Sequence, residues 1–461
     1  MNATLHAIDS LSQRRIMVVG LGDTGLSCVQ FLCAQGCTPE LVDTREQPPA
    51  LPTIRQQFPR LRCHLGADDS ALLADAELIV LSPGMARSHP LLAKVPATVP
   101  VIGDIELFAT AVTAPVVAIT GSNGKSTVTT LLGEMARVAG IQVAVGGNLG
   151  PPALTLLDPE VALYILELSS FQLETTASLR PAVATVLNLS PDHLDRYPDL
   201  ATYATAKARI FQGAQQAVSN RDDPVATALA DAQLPARRFG LMPPEQPTDW
   251  GLVRETATGD DWIACGEARL LRVADLHIIG THNLANVLAA LALGTALGLP
   301  QDAMLQAAQD FTGLAHRCTW VGDWNGVRWI NDSKGTNPGA TVSALRGCAR
   351  PDGAIVLIAG GDGKGADFAT LALAIREHCR DLILIGRDAP LLAAACAALP
   401  QDSRVRLHHT GELERAVRLA ATLAQPGDTV LLSPACASFD QFTDYRHRGE
   451  CFVAAVQEIC G

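Results

Sequence analysis

The chain of 461 residues is defined first by what it lacks. Met1 to Arg15 has no apolar core of the kind a secretory leader needs. No run is long and apolar enough for a membrane span: Leu284 to Leu299 comes nearest, but it is short of the roughly 20 residues required and is interrupted by Asn286 and Thr295. The 12 cysteines have no paired spacing, so they read as reduced thiols and not as a disulfide framework. Positive charge is also short. Lys and Arg number 35 against 47 Asp and Glu, and the resulting net charge of −12 disfavours nucleic acid as a partner. Fixed-period repeats and low-complexity tracts are missing. These absences predict a cytoplasmic protein, monomeric by default, that inserts into no membrane and acts on small molecules. Any acidic substrate must then be met by local cationic clusters.

What is present is a repeated alternation of short aliphatic runs, polar or glycine-rich turns, and longer helical stretches. Ile16 to Val19, Leu78 to Leu81, Val116 to Ile119, Leu163 to Leu166 and Ala184 to Leu187 are such runs in the first half. Trp329 to Ile330, Ala354 to Ala359, Leu382 to Ile385 and Val430 to Leu432 continue them. The pattern predicts an α/β fold with parallel sheets covered by helices on both faces. At about 150 residues per domain the length predicts three. Their expected bounds are 1–102, a Rossmann-like unit; 103–312, a central phosphate-loop unit with a mostly parallel sheet; and 313–461, a second Rossmann-like unit. Phe239 to Gly266 has weak periodicity and reads as an excursion within the middle unit.

In parallel sheets ligands sit beyond the carboxyl ends of strands, so the turn after each run is where chemistry is expected. The stretch Thr120-Gly121-Ser122-Asn123-Gly124-Lys125-Ser126-Thr127 follows one run and opens a helical segment. Backbone N–H groups and the positive helix end face an anion, Lys125 reaches the terminal phosphates, and Ser126 or Thr127 offers a hydroxyl to Mg²⁺. Ile119 stands where the standard pattern has its first glycine, so the loop is a shortened variant. The chain handles a nucleoside triphosphate. An earlier turn, Gly20-Leu21-Gly22-Asp23-Thr24-Gly25, with Asp43 about 20 residues on, fits the dinucleotide fingerprint. The same geometry suits the diphosphate of a nucleotide sugar, with Asp43, Thr44 and Arg45 at its far end. Glu167 ends a buried run beside the phosphate loop, a place suited to a Mg²⁺ carboxylate. His193 lies in a dense polar turn, as a second metal ligand or a substrate contact, while Lys207 alone reads as a surface lysine. Three later turns, Asn331 to Asn337, Gly360 to Lys364 and Ser433 to Ser438, carry lysines and hydroxyls suited to a small dicarboxylate. Cys436 has no histidine arranged to activate it and reads as packing.

Taken together, Thr120 to Thr127, Glu167 to Glu174, Asp192-His193-Leu194-Asp195-Arg196, His282-Asn283-Leu284-Ala285-Asn286, His316-Arg317 and Asn331 to Asn337 resemble the Mur ligases. Gly103 to Phe108, Gly146-Gly147-Asn148, Gly360 to Lys364 and Ser433 to Gln441 resemble the glutamate-adding members of that family. The likeness runs from Ile16 to Phe452. It implies ATP-dependent ligation of glutamate, in its D form, to UDP-N-acetylmuramoyl-L-alanine through an acyl phosphate, in peptidoglycan precursor synthesis. It further implies ATP contacts at Gly121, Ser122, Asn123, Gly124, Lys125, Ser126, Thr127, Asn283, Asn286, Arg317, Asp332 and Lys334. The UDP-substrate residues would be Leu21, Gly22, Asp23, Thr24, Asp43, Thr44, Arg45, Gly84, Asn148 and Ser169. Thr336, Lys364, Ser438, Phe439 and Tyr445 would hold glutamate, Phe439 standing where a leucine is common. Two Mg²⁺ sites would draw on Ser126, Glu167, His193 and Lys207, the last as a carbamate. Lys125, Glu167, His193 and Lys207 are the implied catalytic set.

Overall fold

The computed structural model describes residues 11–192, 196–232, 234, 236–278, 280–350, 353–398 and 405–460. Three sheets succeed one another along the chain. The first is wholly parallel, its five strands running from Ile16–Val19 to Val101–Ile102 in the order third, second, first, fourth, fifth. The order reverses beside Ile16–Val19, so the Gly20-to-Gly25 turn opens at a switch point. Here glycine is a steric requirement, because a Cβ on Gly25 would lie 2.0 Å from the Gly20 carbonyl oxygen. Gly25→Ala is expected to destabilise the protein by about 1–3 kcal/mol through overpacking. An unchanged urea midpoint would show that the turn has room to give.

The central sheet has nine strands. Val116–Thr120 lies inside it, paired in parallel with Leu163–Glu167 on one side and Val183–Val186 on the other. Every residue of these three strands is buried, which is why each reads as a continuous aliphatic run and not as an alternating one. The helices Lys125–Val138 and Thr281–Ala296 pack on one face through Val128, Leu131, Leu132 and Met135 against Val287 to Leu293. The apolar stretch that came nearest to a membrane span is therefore a core helix. Among the described residues no helix is long and apolar enough to cross a membrane.

The segment with weak periodicity is built of strands: Trp250–Arg254, Asp261–Cys265 and Ala268–Arg272 form an antiparallel meander that extends the sheet edge. Its faces are only half covered, and exposed polar residues break the apolar pattern that would have announced strands.

The third sheet has six strands. Thr319–Trp324 and Val327–Asn331 form an antiparallel hairpin, and the remaining neighbours pair in parallel. Val327–Asn331, Thr429–Leu432 and Ile355–Gly360 lie side by side, so the three turns that follow them gather at one edge. The helix Tyr445–Cys460 closes this end, with Asn331 Nδ2 donating to the Gly449 carbonyl at 2.9 Å.

Candidate active site

Three strand ends of the central sheet set the chemistry. The loop after Thr120 turns through Gly124 at φ 80°, a left-handed conformation in which a Cβ would also strike Asn286 Oδ1 at 2.3 Å. Its neighbour past Val186 braces it: Asn188 Oδ1 accepts from the Asn123 backbone N–H at 2.8 Å, and Asn188 Nδ2 donates to the Asn123 carbonyl at 3.0 Å. Ser122 Oγ donates to the Ser190 carbonyl at 3.0 Å. The third end supplies Glu167, whose Oε2 accepts from Ser126 Oγ at 2.6 Å and Oε1 from Asn148 Nδ2 at 2.7 Å. Burial alone pushes the Glu167 carboxyl up, but Lys125, Ser126, Asn148 and Arg317 together hold it below its ordinary value.

Two lysines crowd the same loop. Lys125 Nζ donates to the carbonyls of Gly121 at 2.8 Å and Ser122 at 2.9 Å. Lys207, only 1% exposed, donates to Gly121 O at 3.0 Å and Thr120 Oγ1 at 3.2 Å, with the Tyr203 ring 4.6 Å from its Nζ. Its reading as a surface lysine is thus corrected. Burial, then the neighbouring Lys125, drives the Lys207 pKa well down.

The third sheet reaches across to this loop. Arg317 Nη2 donates to Ser126 Oγ at 2.7 Å, and Asn337 Nδ2 donates to Asp192 Oδ2 at 3.2 Å. Lys334 Nζ stands 3.9 Å from the Tyr445 ring centroid, and burial pushes its pKa down to about 8. Asp332, pushed up to about 6 by burial, accepts from Ser433 Oγ at 2.7 Å.

Two cavities result. The smaller, of about 260 Å³, takes Asn283, Asn286, Gly124, Thr127, Arg317, Asp332 and Lys334 into its wall. The larger, of about 700 Å³, joins the phosphate loop to the turns of the third sheet. Besides Lys207, its described walls carry five basic side chains (Lys125, Arg317, Lys334, Lys364 and Arg446) against three carboxylates (Glu167, Asp192 and Asp367). In a chain of net charge −12 this is a local inversion of sign, the condition for gathering anionic reactants. Thr336, Ser438, Tyr445, Asn148 and Ser169 line it too, as does Phe439, which is 67% exposed.

Not every expected residue comes to these cavities. Leu21, Gly22, Asp23, Thr24, Asp43, Thr44, Arg45 and Gly84 line neither. Asp43 is already engaged, accepting from the Leu21 N–H at 2.7 Å and from Arg45 at 2.8 and 2.9 Å. Burial pushes its pKa up, but these donors outweigh it and leave the carboxyl below its usual value. It holds the first turn in shape. His193 lies outside the described residues. Asn188 and Asn337 were missed as individuals, although both stand in polar turns at strand ends.

Fold and site together define a phosphate-loop enzyme that gathers several anions around a nucleoside triphosphate. The chain belongs to the Mur ligase family. It matches the Mur ligase MurD-like N-terminal domain over residues 14–103, the Mur ligase middle domain over 119–294 and the Mur ligase glutamate ligase domain over 316–436. It is 52% identical to the UDP-N-acetylmuramoylalanine–D-glutamate ligase of Nitrosococcus oceani over 96% of both chains. Identity to the enzyme of that name from Methylobacillus flagellatus is 50%, over 97% of this chain and 98% of the other. In fold it is similar to MurF from Acinetobacter baumannii, with a TM-score of 0.63 and 16% identity over 98% of each chain. The UDP-N-acetylmuramate–alanine ligase of Thermotoga maritima gives a TM-score of 0.60 and 17% identity, over 97% of this chain and all of the other.

Proposed function

We infer that the protein ligates D-glutamate to UDP-N-acetylmuramoyl-L-alanine with cleavage of ATP to ADP and phosphate, a step of peptidoglycan precursor synthesis. The observation that carries this is the cation-rich cleft, which links the Lys125 loop directly to the turns of the third sheet. In the reaction a carboxylate oxygen of the alanyl group bonds to the γ-phosphorus and ADP departs, leaving an acyl phosphate. The glutamate amine then adds to the acyl carbon, loses a proton, and phosphate leaves. Each partner is anionic, so repulsion is the first barrier, and fixed cations remove it without reorganising at the moment of reaction.

The roles divide along the chain. Residues 1–102 would take the uridine end, with Leu21 to Thr24, Asp43, Thr44, Arg45 and Gly84 near it, and Asn148 and Ser169 would meet the sugar. Residues 103–312 would hold ATP through Gly121 to Thr127, with Asn283 and Asn286 at the adenosine. Residues 313–461 would return Arg317, Asp332 and Lys334 to ATP and offer Thr336, Lys364, Ser438, Phe439 and Tyr445 to glutamate. The Ser126 hydroxyl and the Glu167 carboxylate, 2.6 Å apart, are hard oxygen donors that fit Mg²⁺. Bound there, Mg²⁺ would supply charge neutralisation to the phosphates. We propose His193 and carbamylated Lys207 for a second such site.

A phosphate-release assay tests the reading. Phosphate is expected only when ATP, UDP-N-acetylmuramoyl-L-alanine and D-glutamate are all present, with L-glutamate inert. Release from ATP alone would point to an ATPase module. Release with a folyl substrate would point to a related amide ligase.

A further inference from the structure

Arg448 is among the largest fully buried side chains, at 1% exposure, and it lies on the core-facing stripe of the helix Tyr445–Cys460 with Phe452, Ala455 and Val456. Its guanidinium makes no ion pair among the described residues. All of its hydrogen bonds go to the two turns of the third sheet that face the cleft. Nε donates to Ser333 Oγ at 3.0 Å, Nη2 to the Ser333 carbonyl at 2.8 Å and Nη1 to the Cys436 carbonyl at 3.2 Å. The acids that influence it, Asp332 and Asp440, are committed elsewhere: Asp332 to Ser433 and Asp440 to the Arg387 N–H at 2.9 Å. A buried charge without a counter-ion is costly, and natural proteins retain one where a ligand completes it or where its geometry is needed. Ser333 precedes Lys334 and Thr336, Cys436 precedes Ser438, and all three followers line the large cavity. The two turns also bond to each other directly, the Ala435 N–H donating to the Gly335 carbonyl at 2.8 Å and Ser433 Oγ to Asp332 at 2.7 Å, while Ser333 Oγ ties the first of them to the helix by donating to the Tyr445 carbonyl at 2.8 Å.

We infer that Arg448 is a positioning residue for the amino-acid substrate, fixing Thr336 relative to Ser438 and adding uncompensated positive charge beneath the site of the glutamate carboxylates. The inference rests on the ligase reading above. The main effect of Arg448 falls on glutamate, because the contacts to the phosphate loop come from Arg317 and Asn337; a smaller effect on ATP is expected through Asp332 and Lys334, which flank Ser333.

The test compares wild type with Arg448→Met and Arg448→Lys, measuring KM for each of the three substrates, kcat and Tm. Arg448→Met is expected to raise the glutamate KM at least about tenfold, the loss of charge-assisted hydrogen bonds, with a smaller rise in the KM for ATP and the KM for the UDP substrate within about twofold. Arg448→Lys, which keeps the charge and loses the planar fork, should fall between. If Arg448→Met fails to fold, the selective rise in Arg448→Lys decides. Unchanged glutamate KM, or all three KM values rising together, would overturn the inference and leave a packing role. Wild type without glutamate-dependent phosphate release would instead overturn the ligase reading, and this inference with it.

Discussion

Replacing Lys125 with alanine is expected to lower kcat by about a thousandfold or more, a loss of about 4 kcal/mol of transition-state stabilisation, while the protein still folds. The ammonium sits inside the phosphate loop, held by the Gly121 and Ser122 carbonyls, with Glu167 and Asp192 favouring its charged form. Burial opposes that charge and lowers the pKa. A cation kept in such a place at the start of a helix has one evident use, the neutralisation of phosphate oxygens as charge moves onto the leaving group. The fold has little to lose. Lys125 opens the helix Lys125–Val138, alanine is the best helix former, and the packing face is carried by Val128, Leu131, Leu132 and Met135. Circular dichroism and Tm should match wild type. A kcat within tenfold of wild type, in protein with unchanged Tm, would remove Lys125 from the reaction.

How much of this was legible in the sequence depends on how local each feature is. The phosphate loop is contiguous, so its spacing announced strand, turn and helix. The parallel strands were visible because burial on both faces leaves an unbroken aliphatic run, as in Val116–Thr120 and Ile355–Gly360. The meander from Trp250 to Arg272 was not, because a half-exposed edge mixes polar and apolar residues irregularly. Asp43 shows what spacing leaves out: its position matches a ligand-binding pattern, and only three-dimensional contact reveals that its carboxylate oxygens also accept from Leu21 and Arg45. Arg448 left a usable signal: an arginine at the position of Phe452, Ala455 and Val456 on an amphipathic helix is out of place unless something polar awaits it. Lys207 left none, since its neighbours in sequence give no sign of the Gly121 carbonyl it reaches.

That carbonyl motivates the second large effect. Gly121 O accepts from the half-buried Lys125 at 2.8 Å and from the buried Lys207 at 3.0 Å, so two lysine nitrogens converge on a single oxygen. Like charges so close repel, and desolvation adds to the cost of both. Conversion of Lys207 to a carbamate, as proposed above, would resolve the conflict: the neutral amine would add to carbon dioxide, forming a nitrogen–carbon bond and releasing a proton to solvent. The side chain would then carry negative charge and offer oxygen donors in the cavity that Lys125, Ser126 and Glu167 also line. Lys207→Ala is therefore expected to lower kcat by about a hundredfold or more, the scale seen when support of a metal site is removed. Acetate or formate should restore part of the activity by occupying the vacated space, whereas Lys207→Arg, which fills that space with a permanent cation, should gain nothing. A readout independent of turnover is the carbamate carbon itself, visible by NMR in wild type equilibrated with ¹³C-bicarbonate and missing in Lys207→Ala. Full activity in Lys207→Ala, or a wild-type spectrum without that resonance, would leave Lys207 as an ammonium anchoring the loop through Gly121 and Thr120.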